Sequence, residues 1–121
     1  MNTEEGPYIP LDWNDLHSIN NILLSYLAYL HGGMAPSPER NTKLQVAYLL
    51  RGRVNLLLAI RYENSKLTVT FEEAAVLQDA MLVSIDLISH VIPQTPERDG
   101  VIETVQNLRK MLAETLLPPI E

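Results

Sequence analysis

Four signals for the start of a helix divide this chain of 121 residues into four helical segments. A short oxygen-bearing side chain stands at each of them, at Asp12, Ser37, Thr70 and Thr95. Such a side chain can accept a hydrogen bond from the N–H groups of a first helical turn, which have no partner inside the helix. Proline follows the second and fourth signals, where its missing N–H costs no hydrogen bond. The pattern predicts helices over residues 13–31, 38–62, 71–92 and 96–117.

These helices predict an all-α fold, an antiparallel up-down-up-down four-helix bundle, because short connections favour antiparallel neighbours. A chain of this length suits one domain with a single core. The predicted division is an irregular N-terminal arm over 1–11, a bundle over 12–117 with hairpins 12–62 and 70–117, and a C-terminal tail over 118–121.

One stretch, KLTVTF over Lys66–Phe71, alternates in the manner of a β-strand. It is short, and it overlaps the capping signal at Thr70. We therefore predict a loop that connects the second and third helices.

The two halves of the chain are alike when they are offset by 58 positions. The offset places SPER at 37–40 on TPER at 95–98, and it aligns apolar residues such as Trp13 and Phe71. This agreement favours two helical hairpins related by a pseudo-twofold axis. Any two hairpins of equal length can be aligned in this way, because both follow the helical period. The duplication stays open, and the four-helix prediction does not depend on it.

Composition argues against several classes of function. The chain contains no cysteine, which excludes disulfides, thiolate catalysis and cysteine-ligated metals. Its net charge of −6 argues against general binding to nucleic-acid backbones. The uncharged stretch from Leu16 to Pro38 contains histidines, asparagines and two glycines, so it does not predict a membrane span. The acidic, proline-broken N-terminus differs from a signal peptide, and we expect a soluble cytoplasmic protein with no membrane partner.

Residues that carry chemistry are few and scattered. The sequence contains no phosphate-binding loop, nucleophile elbow or zinc-protease motif. His17 and His31 lie about 21 Å apart along one predicted helix, too far for one site. Asp86 and His90 are four positions apart, which suits a surface contact better than a metal site because no further ligand is near. We predict no catalytic, metal-binding or cofactor-binding residues, and a protein that is not an enzyme.

The second predicted helix is apolar on two faces at about 100° per residue. One face contains Val46, Leu49, Leu50, Leu56, Leu57 and Ile60. The other mixes apolar and basic side chains, among them Leu44, Ala47, Arg51, Val54, Leu58 and Arg61. A lone four-helix bundle does not need both faces for its core. We predict that the mixed face is the contact surface of a homodimer, with arginines at its rim and the uncharged face of the first helix beside it.

Two other accounts of the basic residues stay open. Between residues 40 and 62 there are five basic residues and no acid, whereas the rest of the chain carries −11. These cations can pair with the third helix, where an antiparallel hairpin would bring Arg61 near Glu72 and Arg51 near Asp79. Exposed pairs of this kind contribute about 0–1 kcal/mol and set register more than stability. A nucleic-acid site would need an exposed basic cluster and a recognition motif, and we find neither.

These patterns predict a non-enzymatic protein–protein interaction module, adaptor-like or regulatory, that self-associates and recognises another protein by helix packing. The alternative is a bundle that binds an apolar or aromatic small molecule. Its pocket would be lined by side chains beside the apolar stripes, namely Asn20, Tyr26, Asn55 and Gln78. A ligand that binds only the folded state would raise the thermal stability.

Overall fold

The computed structural model describes residues 8–60 and 64–116, which form four helices and a two-stranded sheet. The elements in chain order are β1 (Tyr8–Asp12), α1 (Trp13–Gly33), α2 (Pro38–Ile60), β2 (Asn64–Thr68), α3 (Phe71–Val91) and α4 (Pro96–Leu116). The prediction of an all-α fold with four helices is confirmed, with the small sheet as an addition. The up-down-up-down order stays a prediction.

All four helices begin where the capping residues predicted. The carboxylate of Asp12 accepts from the N–H of Asp15 at 2.8 Å, and the carboxylate of Asp15 accepts from the N–H of Asp12 at 3.3 Å. A second capping box begins α3. The hydroxyls of Ser37 and Thr95 each accept from an N–H three residues later at 3.1 Å. Each cap stabilises its helix by about 1 kcal/mol.

The C-terminus of α1 lies later than predicted. Gly32 and Gly33 continue the helix, and Met34 follows as an extended C-cap with φ of −122°. No left-handed residue is needed at this end, so the glycines do not terminate the helix. The helices of the second half begin 58 positions after those of the first, at residues 71 and 96 against 13 and 38. The duplication itself stays a prediction.

The sheet consists of β1 and β2, which pair antiparallel with Tyr8 opposite Thr68. Alternate side chains of the two strands, Ile9, Leu11 and Leu67, are buried in the core. The sheet packs against α1, α2 and α4. The sheet therefore joins the segment that precedes α1 to the connection between α2 and α3.

The two strands correct two predictions. The loop predicted over 66–71 is wrong for residues 66–68, which belong to β2. The irregular arm predicted over 1–11 is wrong for residues 8–11, which belong to β1. A short alternating segment needs a partner strand to satisfy its backbone groups. That partner lies more than fifty residues earlier in the chain, beyond the reach of a local pattern. Residues 1–7 and 118–121 of the predicted arm and tail lie outside the described residues.

The core is built mainly by α1, α2 and α3. Its largest fully buried side chains include Leu16, Leu23, Tyr26, Leu50, Leu77, Met81 and Leu112. Helix α1 packs mainly against α2 and α3, whereas α4 packs mainly against α3 and β1. This arrangement leaves a groove between α1 and α4.

An ion pair joins α2 to the start of α3. The guanidinium of Arg53 donates to both carboxylate oxygens of Glu73 at 2.6 and 2.9 Å, and to the carbonyl oxygen of Thr68 at 3.1 Å. The same carboxylate accepts from the N–H of Thr70 at 2.9 Å. The hydrogen bonds from Arg53 hold the pKa of Glu73 below its ordinary value, although burial alone would raise it.

The variant Glu73→Gln is expected to lower the free energy of unfolding by about 1–3 kcal/mol at neutral pH, because it removes the charge that pairs with Arg53. The folded-state pKa lies below the unfolded one, so the stabilisation is complete above the ordinary value of 4.5. It is lost as the pH falls through the folded-state pKa. Urea unfolding of both proteins from neutral to acidic pH measures the difference.

The matched control is Glu72→Gln, which changes the adjacent, exposed carboxylate. This variant is expected to stay within about 0.5 kcal/mol of the wild type. A difference for Glu73→Gln that persists unchanged at the lowest pH would contradict the assigned ion pair.

Candidate functional site

Two ion pairs join α2 to α3. The ammonium of Lys43 lies 3.5 Å from the carboxylate of Asp79, and Arg53 pairs with Glu73. Asp79 also accepts a hydrogen bond from the hydroxyl of Tyr26 at 2.6 Å. Burial, together with this hydrogen bond, raises the pKa of Tyr26, so the phenol remains a donor. The side of α2 that faces the core carries its buried residues, Val46, Ala47, Leu50 and Val54.

The predicted contact surface lies on this inward side. Its members are Ala47 and Val54, which are fully buried, Leu44 and Leu58, which are partly buried against the core, and the half-buried Arg51. Arg61 lies outside the described residues. The prediction that this face contacts another chain is wrong, because its central side chains have no area left to offer. Hydropathy alone does not distinguish two apolar faces of one helix, because the face that is buried depends on contacts with the other helices.

The predicted pair of Arg51 with Asp79 is wrong in register, because Asp79 pairs with Lys43, eight positions earlier on α2. The predicted pair of Arg61 with Glu72 stays a prediction, because Arg61 lies outside the described residues. Within them, the start of α3 is reached by Arg53, which pairs with Glu73. The prediction assumed a simple turn between the two helices. The strand β2 occupies this connection instead, and it shifts the helices by about two turns, or roughly 12 Å.

The four residues of the predicted pocket do not meet. Tyr26 is buried and binds Asp79, and Asn55 is exposed on α2. Gln78 borders a shallow depression between α3 and α4. Asn20 is half-buried, and its Oδ1 has no hydrogen-bond partner within the part of the chain that the structure describes. The prediction of one pocket from these residues is wrong, because they lie on different sides of the bundle.

The side of α2 opposite the core is apolar and exposed. Its eight residues, here called the outer face of α2, are Gln45, Tyr48, Leu49, Gly52, Asn55, Leu56, Ala59 and Ile60. The large side chains are exposed to fractions of 51% for Tyr48, 59% for Leu49, 64% for Leu56 and 46% for Ile60. None of the eight residues carries a charge. A helix face in contact with water is normally polar and charged.

Helix α4 shows the ordinary pattern in the same molecule. Its exposed residues include Glu97, Asp99, Glu103, Lys110 and Glu114. Sequence reasoning did not single out the outer face of α2. The signal was the absence of charge from every third or fourth position between Gln45 and Ile60.

Helix α1 extends this surface at one edge. The hydroxyl of Tyr48 and Nε2 of His31 form a hydrogen bond of 3.0 Å between α2 and α1. The exposed residues of α1 include Leu24 and Ala28, and they are uncharged over the middle of the helix. An apolar partner on α2 could therefore reach α1 without meeting a charge.

The groove between α1 and α4 is a second feature, with a volume of about 210 Å³. Its lining comes from three helices and consists of Ser18, Asn21, Ile22, Ser25, Ser84, Ile88, Val101, Thr104 and Val105. Ser84 lies on α3 and is only 4% exposed. Its hydroxyl has no hydrogen-bond partner among the described residues.

Neither the acid–histidine contact nor α3 adds a further site. His90 and Asp86 are 3.3 Å apart between Nδ1 and Oδ1, both well exposed, as an i,i+4 contact predicts. Within residues 8–60 and 64–116, no three histidine, aspartate or glutamate side chains cluster in a way that could hold a metal ion. Of the described helices, α3 is long and apolar enough to meet a composition test for a membrane span, a test that core helices of soluble bundles also pass.

Comparison with known proteins finds no relative of this chain. No protein-family model matches the sequence, and neither curated proteins nor solved structures give a significant match.

Substitution of neighbouring residues on α2 distinguishes its two sides. Val54→Asp is expected to lower the free energy of unfolding by more than about 3 kcal/mol, because it buries an unpaired charge. Leu56→Asp, two positions later, is expected to change the monomer by no more than about 0.5 kcal/mol beyond the small helix-propensity effect. Urea unfolding at low protein concentration compares the two variants. Equal losses would contradict the assigned rotation of α2.

Proposed function

We propose that this protein is a non-enzymatic protein–protein interaction module, adaptor-like or regulatory, that self-associates through the outer face of α2. The observation that supports the proposal is the uncharged outer face, with four large apolar side chains about half in water. Contiguous exposed apolar surface of this kind marks interaction sites in soluble proteins. Helix α1 contributes the edge of the contact next to Tyr48.

The energetics favour a weak dimer. Burying the remaining area of each large side chain contributes roughly 1 kcal/mol, and a symmetric pair buries eight of them. Association costs on the order of 4–15 kcal/mol in lost freedom. The two terms are of similar size, so the contact with α1 is needed for measurable affinity. The dimer is therefore expected to dissociate on dilution.

Gly52 supports a particular geometry. A glycine inside a helix costs about 1 kcal/mol relative to alanine. A Cβ added at Gly52 would meet nothing within 4 Å, so packing within one chain gives no reason for the glycine. It lies at the centre of the outer face, where it would let the helix of a second copy approach closely.

An antiparallel pair whose twofold axis lies midway between Gly52 and Arg53 sets a definite register. Leu49 of one copy then faces Leu56 of the other, and Gln45 faces Ile60, because each pair is equally distant from the axis. Each contact occurs twice, as a twofold interface requires. The neutral face also lets two chains of net charge −6 meet where neither presents an acid.

The variant Leu56→Glu is expected to dissociate the dimer and keep the helical content, because it puts two charges into the apolar contact. Light scattering coupled to size-exclusion chromatography, across protein concentrations, measures the mass. The wild type should move from 13.7 kDa towards twice that value as concentration rises, and the variant should stay at 13.7 kDa. The matched control is Leu82→Glu, a similarly exposed leucine on α3, which should dimerise as the wild type does.

The double variant L49K/L56E tests the register with the same instrument. In the antiparallel pair each new lysine faces a glutamate of the other copy, so dimerisation should return in part at low salt. The variant L49E/L56E has the same positions with like charges and should stay monomeric. A wild type that remains at 13.7 kDa at every concentration, or equal effects of Leu56→Glu and Leu82→Glu, would overturn the proposal.

A further inference from the structure

We infer that the groove between α1 and α4 binds a small neutral molecule that has an apolar ring and one hydroxyl or amide group. This site is separate from the outer face of α2, and it stands or falls independently of self-association. It develops the small-molecule hypothesis at a place that the sequence did not indicate.

The groove exists because short side chains replace large ones. Three serines line it, the half-buried Ser18 and the exposed Ser25 of α1 and the buried Ser84 of α3. Leucine at these positions would fill the space, as it does elsewhere in this core.

The hydroxyl of Ser84 requires a partner. The side chain lines the groove, its oxygen is closed off from solvent, and it makes no hydrogen bond within the described part of the chain. An unsatisfied buried hydroxyl costs about 1–3 kcal/mol, and proteins rarely retain one without a reason. A rotation about χ1 that turns the hydroxyl towards the groove would let a ligand hydroxyl or amide satisfy it, because a serine hydroxyl can both donate and accept.

The lining determines the class of ligand. It contains the aliphatic side chains of Ile22, Ile88, Val101 and Val105 besides the hydroxyl and amide groups, and it contains no charged residue. An ion would lose its hydration there without gaining a counter-ion, so the ligand is neutral. Apolar walls with a few placed polar groups are typical of small-molecule sites.

The volume sets the size of the ligand. A cavity of about 150 Å³ in another protein holds a benzene molecule. The groove, at about 210 Å³, therefore has room for one ring and one polar substituent. So small a molecule is expected to bind with a dissociation constant on the order of 1 mM.

Phenol and toluene form a matched pair of probes, because they differ mainly by a hydroxyl in place of a methyl group. Titration of the isotope-labelled full chain, followed by methyl and amide NMR shifts, gives a dissociation constant for each probe. Phenol is expected to produce saturable shifts at Ile22, Ile88 and Val105, and to bind more tightly than toluene. Ser84→Ala should weaken phenol binding by about threefold to tenfold and leave toluene binding unchanged.

Two further variants distinguish occupancy of the groove from a general effect. Ser25→Phe puts a ring into the groove from α1 and should abolish binding of both probes, whereas Leu24→Phe, at an exposed neighbour that does not line the groove, should leave binding intact. Without ligand, Ser84→Ala should be as stable as the wild type or more so, because it removes an unsatisfied hydroxyl. This outcome shows that the loss of phenol binding does not come from misfolding.

Three results would overturn the inference. One is the absence of saturable shifts in the groove at phenol concentrations up to about ten times the expected dissociation constant. Another is an equal loss of phenol and toluene binding in Ser84→Ala. The third is a set of shifts on the outer face of α2 instead of the groove, which would indicate general solvation of exposed apolar surface.

Discussion

The pairing of Arg53 and Lys43 with the acids of α3 links α2 to α3 in one register. Each cation reaches a carboxylate on the same neighbouring helix, and Arg53 also donates to the end of β2. In this register Val54 lies in the core and Leu56 is exposed. The outer face of α2 is the consequence of this rotation of the helix.

The two candidate surfaces have different physical origins. The outer face of α2 is an excess of apolar area, which water solvates poorly and a second copy would cover. The groove between α1 and α4 is a deficit of side-chain volume, with one buried hydroxyl left unsatisfied. One surface therefore suits a large flat partner, and the other suits a small molecule. Helix α4, with its charged exposed side, offers neither feature.

The helix starts could be predicted because they depend on residues close together in the sequence. The wrong predictions concern features that depend on contacts between distant segments. The capping residues at Asp12 and Thr70 act within four positions, so the sequence alone locates the helix starts. The pairing of β1 with β2 joins segments more than fifty residues apart, and the rotation of α2 depends on partners on another helix. The wrong contact surface and the wrong pairing of Arg51 with Asp79 follow from these two omissions. The groove was missed because a serine at position 84 within an apolar stripe has no local signature.

The most direct measurement is thiol labelling in a chain that contains no natural cysteine. Single variants Leu56→Cys and Val54→Cys place one thiol on each side of α2 and are labelled across a range of protein concentrations. Labelling of Leu56→Cys is expected to be rapid in dilute solution and to slow as concentration rises, whereas Val54→Cys is expected to be labelled slowly throughout. Rapid labelling of Val54→Cys in the folded protein would contradict the rotation of α2. A labelling rate for Leu56→Cys that is independent of concentration would contradict self-association through its outer face.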